Sequence, residues 1–155
     1  MSFGLRRTAA TSVAAVALLA ASVGAFAKTH VKAGGTTVAL AHAALYSTSQ
    51  ASAGSKAYGA NCSSCHGANL EGGVGPALSG ATLNTLAKNT KLSVGDMFTF
   101  ISQQMPLNAP ASLSKAQYTQ IMAYILKYNG YPAGAKELTY DSATNSKVVI
   151  HSAAK

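Results

Sequence analysis

Three stretches of the chain carry a pattern that predicts helix. In residues 93 to 104, SVGDMFTFISQQ, Val94, Met97, Phe98 and Ile101 recur at i, i+3, i+4 and i+7, the spacing of one helix face. Ser93 precedes the run as an N-cap, and Asp96 falls in the first turn, where the helix dipole favours an acid. Pro106 ends the helix after Met105. Residues 114 to 129 carry the fullest stripe: Tyr118, Ile121, Met122, Ile125 and Leu126. Ser114 and Gln117 form a capping box before it, and Asn129-Gly130 with Pro132 stops it. Residues 47 to 61 read as a third helix behind a Ser47–Gln50 capping box, rich in Ala and Gly rather than in large apolar side chains. Small residues suit the close approach of another backbone.

Between these helices the pattern breaks. Residues 67 to 82, GANLEGGVGPALSGAT, are too glycine-rich for helix or strand and read as a loop. Residues 28 to 46 form a low-complexity lead-in, and residues 133 to 155 a polar tail with one short β-like run, KVVI. No segment alternates strongly enough to build a sheet, so the expected fold is all-α. The domain is expected over 47–132.

The N-terminus has its own pattern. Arg6 and Arg7 precede a long alanine-rich apolar run that ends in Ala25-Phe26-Ala27. A basic start, an apolar core and a small-x-small end describe a secretory signal, residues 1–27, cleaved after Ala27. An uncleaved anchor competes with this reading, because the apolar run is nearly long enough to span a bilayer. Export places the remaining chain in an oxidising compartment, here read as a periplasm.

Charge narrows the partners. The formal net charge is +8, and removing the leader with its two arginines leaves +6. The basic residues are scattered lysines, without the dense Arg and aromatic interleaving that stacks bases. Nucleic acid is therefore not expected, and an acidic protein surface is the better fit. Contact with a membrane is expected only through partners or an uncleaved N-terminus.

The chemistry concentrates in ANCSSCHGANLEGG, residues 60 to 73, which holds both cysteines of the chain. A thioredoxin-like dithiol needs a βαβ setting, and no strands are expected around this motif. Structural zinc needs a second ligand pair, and His30, His42 and His151 lie in the flanks without its spacing. A plain disulfide across two residues closes a tiny loop, stabilises little and leaves His66 without a role. Cys62, Cys65 and His66 instead spell C-x-x-C-H, the attachment motif of c-type haem. On a helical turn the two thiols reach the two vinyl groups of one porphyrin edge, and the following histidine lies under the iron.

A sixth ligand is then sought among Met97, Met105, Met122 and the flank histidines. Met97 and Met122 lie on apolar helix faces and read as core. Met105 ends a helix in QQMPLNAP, where two prolines can turn a side chain inward, 39 residues beyond His66. His66 and Met105 are the expected axial pair, which raises the reduction potential and suits electron transfer. An open sixth site remains the alternative.

AYGANCSSCHG, GPAL, the MP of Met105-Pro106 and a C-terminal amphipathic helix together resemble a class I cytochrome c over residues 47 to 132. MPLNAPASLSKAQYTQIMAYILKYNGYPAG is similar, more narrowly, to monohaem cytochromes associated with periplasmic quinoprotein dehydrogenases. The resemblance implies an all-α class I cytochrome c fold and one covalent haem c. It implies thioethers at Cys62 and Cys65, and axial His66 and Met105. Pro76 would offer its carbonyl to the proximal histidine, and Gly59 with Tyr124 would mark the crossing of first and last helices. The family has a tryptophan at a haem propionate, and this chain has none. A haem would complete a core short of large apolar side chains, with Leu78, Leu83, Phe98 and Ile101 as walls. The implied function is a periplasmic one-electron carrier rather than an enzyme. Its partners would be redox proteins with acidic docking surfaces: a quinoprotein dehydrogenase as donor, and an oxidase or another cytochrome as acceptor. Two alternatives stand beside it. One is a ligand-binding sensor or peroxidase-like enzyme with an open sixth site. The other is an obligate cytochrome subunit of a membrane dehydrogenase.

Overall fold

The structure, a computed structural model, describes residues 44–154. The expected leader 1–27, the lead-in as far as residue 43, and Lys155 lie outside the described residues. The described part is helical: α1 Thr48–Asn61, α2 Ser63–His66, α3 Gly80–Thr90, α4 Val94–Gln104, α5 Lys115–Tyr128 and α6 Tyr140–Thr144. Only isolated bridges pair extended backbone, Tyr46 with Ala133 and Ser93 with Val149. Among the described residues no helix is long and apolar enough to cross a membrane.

The first and fifth helices form the main contact, and their sequences explain how. α5 buries Tyr118, Ile121, Met122, Ile125 and Leu126 on one face. α1 has few large side chains to offer, so it comes close instead. At Gly54 an added Cβ would sit 1.8 Å from the Gln120 carbonyl oxygen and 3.0 Å from Tyr124 Cβ. Only glycine permits that crossing. The crossing residue is thus Gly54 and not Gly59, whose Cβ position has nothing within 4 Å. One turn on, Tyr58 is buried with its ring 5.2 Å from that of Tyr124.

Local signals set the helix ends. Ser93 and Asp96 make a reciprocal capping box on α4, and Ser114 and Gln117 make one on α5. On α1 only half of the expected box forms. Ser47 accepts from the Gln50 N–H, but the Gln50 side chain turns inward and makes both backbone bonds of Leu138. Here a tertiary partner outcompetes the local cap.

The predicted loop 67–82 gives way to helix at Gly80. α3 buries Leu83 and Ala87, one turn apart, and turns Thr82, Thr85, Leu86 and Lys88 to solvent. The segment after residue 132 packs onto the domain. Leu138, Ala143 and Ile150 are buried, and Phe98 meets Tyr140 edge-on at 5.0 Å. The KVVI run lies along the start of α4: Val94 N–H donates to the Val148 carbonyl, and Ile150 N–H to that of Leu92. Ser152 then exchanges hydrogen bonds with Gly80 and Asn84 of α3. Met97 and Met122 are both core residues.

Candidate haem site

The C-x-x-C-H segment is a single tight helical turn continuing from α1. Cys65 and His66 N–H groups both donate to the Cys62 carbonyl, at 3.1 and 3.0 Å. Cys62 N–H in turn donates to Tyr58. Gly67, with φ of 80°, takes the left-handed conformation that ends the turn. Its carbonyl accepts the Tyr58 hydroxyl at 2.8 Å, tying the motif to the α1–α5 crossing.

The glycine-rich loop folds back over this turn. Gly75 N–H donates to the Cys65 carbonyl at 2.9 Å, and Gly72 N–H to that of His66 at 2.8 Å. At Gly75 a Cβ would lie 2.7 Å from His66 Cε1, so the chain passes beside the ring where no side chain fits. The Pro76 carbonyl then stands 2.8 Å from His66 Nδ1. A carbonyl only accepts, so Nδ1 bears a proton, and Nε2 is the nitrogen left for a metal. Such an outer partner fixes both the tautomer and the orientation of a metal-binding imidazole.

The donor set fits a covalently held haem and disfavours the other readings. Cys62 and Cys65 are both free thiols, half-buried and exposed respectively. Burial, followed by the neighbouring Cys65, pushes the Cys62 thiol up to about 11. A catalytic dithiol needs the opposite shift, toward thiolate. No group of three or more His, Cys, Asp and Glu side chains is placed to hold a metal ion among the described residues. Haem needs two thiols and one histidine from this segment, and all three stand on this one turn.

Met105 stands on a separate segment, at the C-cap of α4, with its backbone extended and its side chain half-buried. Its carbonyl accepts the Tyr118 hydroxyl at 2.6 Å, and the same hydroxyl accepts from Leu113 N–H at 3.3 Å. Tyr118 thereby gathers both ends of the Met105–Leu113 segment. At the other end of α5, Asn129 donates to the Leu78 carbonyl at 2.9 Å, two residues beyond Pro76. Pattern reading takes Tyr118 as one member of the apolar stripe and Asn129 as a helix stop. A buried hydroxyl and a buried amide, each obliged to find a partner, were the available signals. Of the expected haem walls, Leu83, Phe98 and Ile101 are buried and Leu78 lies partly so.

Residues 49–125 match the family described as cytochrome c oxidase, cbb3-type, subunit III. No curated protein sequence matches the chain. A structural match is a chain of the sulfane dehydrogenase SoxCD from Paracoccus pantotrophus, at 25% identity and a TM-score of 0.48, covering 64% of this chain and 52% of that one. The present chain thus spans about half the length of that relative. A cytochrome c domain is by nature a haem-bearing electron carrier and not a catalyst by itself. With the motif, the loop that orients its histidine and the matched segment in agreement, residues 49–125 carry an all-α cytochrome c domain of class I.

Proposed function

We propose that the protein is a periplasmic one-electron carrier with a single haem c, attached at Cys62 and Cys65 and ligated by His66 and Met105. The observation that carries this reading is the His66–Pro76 pair beside two unpaired thiols. It leaves one imidazole nitrogen oriented and free of the Pro76 bond, next to the two groups that would form thioethers. When bound, the haem supplies a reversible Fe(III)/Fe(II) couple. The chain's own residues hold and shield it. His66 is fixed through Nδ1, Met105 is held through its backbone by Tyr118, and the core around Phe98 and Leu83 excludes water. Residues 97–114 hold no histidine and no charged side chain, so this segment offers no acid–base pair for peroxide chemistry.

The charge of +6 without the leader supports encounter with acidic partners, steered at long range. All seven lysines of the described residues are exposed. The partner classes follow from the family resemblance: a quinoprotein dehydrogenase as donor, and an oxidase or second cytochrome as acceptor. The basic, apolar, small-x-small N-terminus supports export and residence in the periplasm.

Optical spectroscopy of the purified protein tests the ligation. The expected result is a weak near-infrared methionine–Fe(III) band, lost in Met105→Ala, and no CO binding by the reduced wild type. Five-coordinate iron that binds CO readily would remove Met105 as ligand and bring a sensor or enzyme forward.

A further inference from the structure

We infer that α5 is the clamp that sets both axial positions of the haem, with Tyr118 and Asn129 as positioning residues for Met105 and His66; this rests on the haem reading above. The two residues mark the first turn and the C-cap of one helix, and both are buried, at 3% and 0% exposure. Each spends its polar side chain on a carbonyl in a segment that bears a ligand or its partner. A rigid helix between them fixes where those segments stand.

On the methionine side, the Tyr118 hydroxyl is used twice. It donates to the Met105 carbonyl and accepts from Leu113 N–H, so residues 105–113 are gathered at one oxygen. The Met105 side chain leaves a backbone that cannot swing unless this bond breaks.

On the histidine side, the Asn129 amide donates to the Leu78 and Ile125 carbonyls, both at 2.9 Å. Its Oδ1 has no hydrogen-bond partner among the described residues, so the site uses the residue as a donor. The Leu78 N–H is itself bound to the Leu70 carbonyl at 2.8 Å. Leu78 is thus held at both ends of its backbone, and Pro76, two residues earlier, is aimed at His66 Nδ1. The firmness of that Nδ1–H bond sets how much electron density the imidazole gives its metal. A looser Pro76 carbonyl means a poorer donor, which favours Fe(II).

A purely structural role and a clamp differ in selectivity. The test uses the full-length, haem-loaded protein as wild type, Tyr118→Phe and Asn129→Leu. Gln50→Leu serves as a control that removes an equally buried side chain holding the Leu138 backbone. Three quantities are read: the near-infrared methionine band under imidazole competition, solvent exchange of His66 Nδ1–H in the reduced protein by NMR, and the midpoint potential. In Asn129→Leu, the Nδ1–H should exchange at least tenfold faster and the iron shift about tenfold toward Fe(II), ~59 mV for a one-electron couple, with the methionine band intact. In Tyr118→Phe, about tenfold less imidazole should displace the band, with Nδ1–H exchange unchanged. Gln50→Leu should lower the melting temperature and move neither signature. If both signatures move together in each variant, or follow melting temperature in the control, or stay still, the clamp is overturned. A wild type with haem but no methionine band refutes His/Met ligation and the Tyr118 half, while Asn129 is still judged by Nδ1–H exchange. A wild type without covalent haem sinks the proposed function, and the clamp with it.

Discussion

α1 contains two glycines five residues apart, and the structure assigns them opposite roles. Gly54→Ala places a Cβ 1.8 Å from the Gln120 carbonyl oxygen and 2.5 Å from its carbon. Ordinary contact needs about 3.5 Å, so α1 and α5 would have to part by roughly 1.5 Å. The obstacle is backbone, which no rotamer change relieves. Overpacking costs about 1–3 kcal/mol, and this case belongs at the upper end. Alanine's better helix propensity returns about 0.5–1 kcal/mol, for a net loss of about 2–2.5 kcal/mol. Gly59→Ala meets nothing within 4 Å. It should keep the whole propensity gain of about 0.5–1 kcal/mol. For a domain of this size each kcal/mol moves the midpoint by about 4–8 °C. Thermal melts of the haem-loaded variants, followed by far-UV circular dichroism, should therefore fall by roughly 10–20 °C for Gly54→Ala and rise by a few degrees for Gly59→Ala. Equal losses at the two positions, or a rise at Gly54, would refute the close crossing.

Further outcomes follow from the same geometry. Gly75→Ala drives a methyl group into the His66 ring, 2.7 Å from Cε1, and relief requires the ring to turn from Pro76. Holoprotein stability should fall by about 1–3 kcal/mol and the reduction potential should rise; unchanged values in denaturant melts and redox titration would contradict the cradle. Asp96 lies below the usual carboxylate range because the side chain and backbone of Ser93 hydrogen-bond to it. Its folded value is depressed, so the stability it contributes is present above the ordinary range and lost as pH falls through the lowered value. Asp96→Asn should melt lower at neutral pH yet lose less on acidification to about pH 3; parallel pH profiles of the two proteins would refute this linkage.

What the sequence made legible is what depends on near neighbours. The stripes of α4 and α5 and the boxes at Ser93 and Ser114 are decided within a few residues, and they form where the pattern places them. The pentapeptide is equally local, and His66 and Pro76 meet across ten residues of loop. α3 was hidden because it opens on Gly80 at a positive φ and carries Thr and Asn on its surface, residues that lower helix propensity. Its Leu83–Ala87 spacing is a single pair, too short a signal for a pattern. The segment after residue 132 was hidden for another reason. Its order comes from partners far away in sequence, as with Gln50 and Leu138. The same holds for the inward turn of Gln50, which broke a local box that its residue types allow. Gly54 and Gly59 are indistinguishable by type, and only the path of α5 tells them apart.

The reach of those distant bonds bears on the order in which the protein comes into being. Gln50 and Leu138 are 88 residues apart, and Tyr46 binds Tyr131 across 85. Closing so long a loop carries an entropic cost before any contact rewards it. Synthesis runs from the N-terminus, so α1 and the two cysteines emerge well before α5, the helix they lean on. Ser152 and Ala153, which bond to Asn84, Gly80 and Asn129, emerge later still. Until α5 has emerged, Cys62 lacks part of the core it packs against, and Leu78 lacks the Asn129 amide. Connectivity thus gives Cys62 its partial cover late, while Cys65 stays exposed even in the finished domain, so one thiol of the pair remains within reach of solvent throughout.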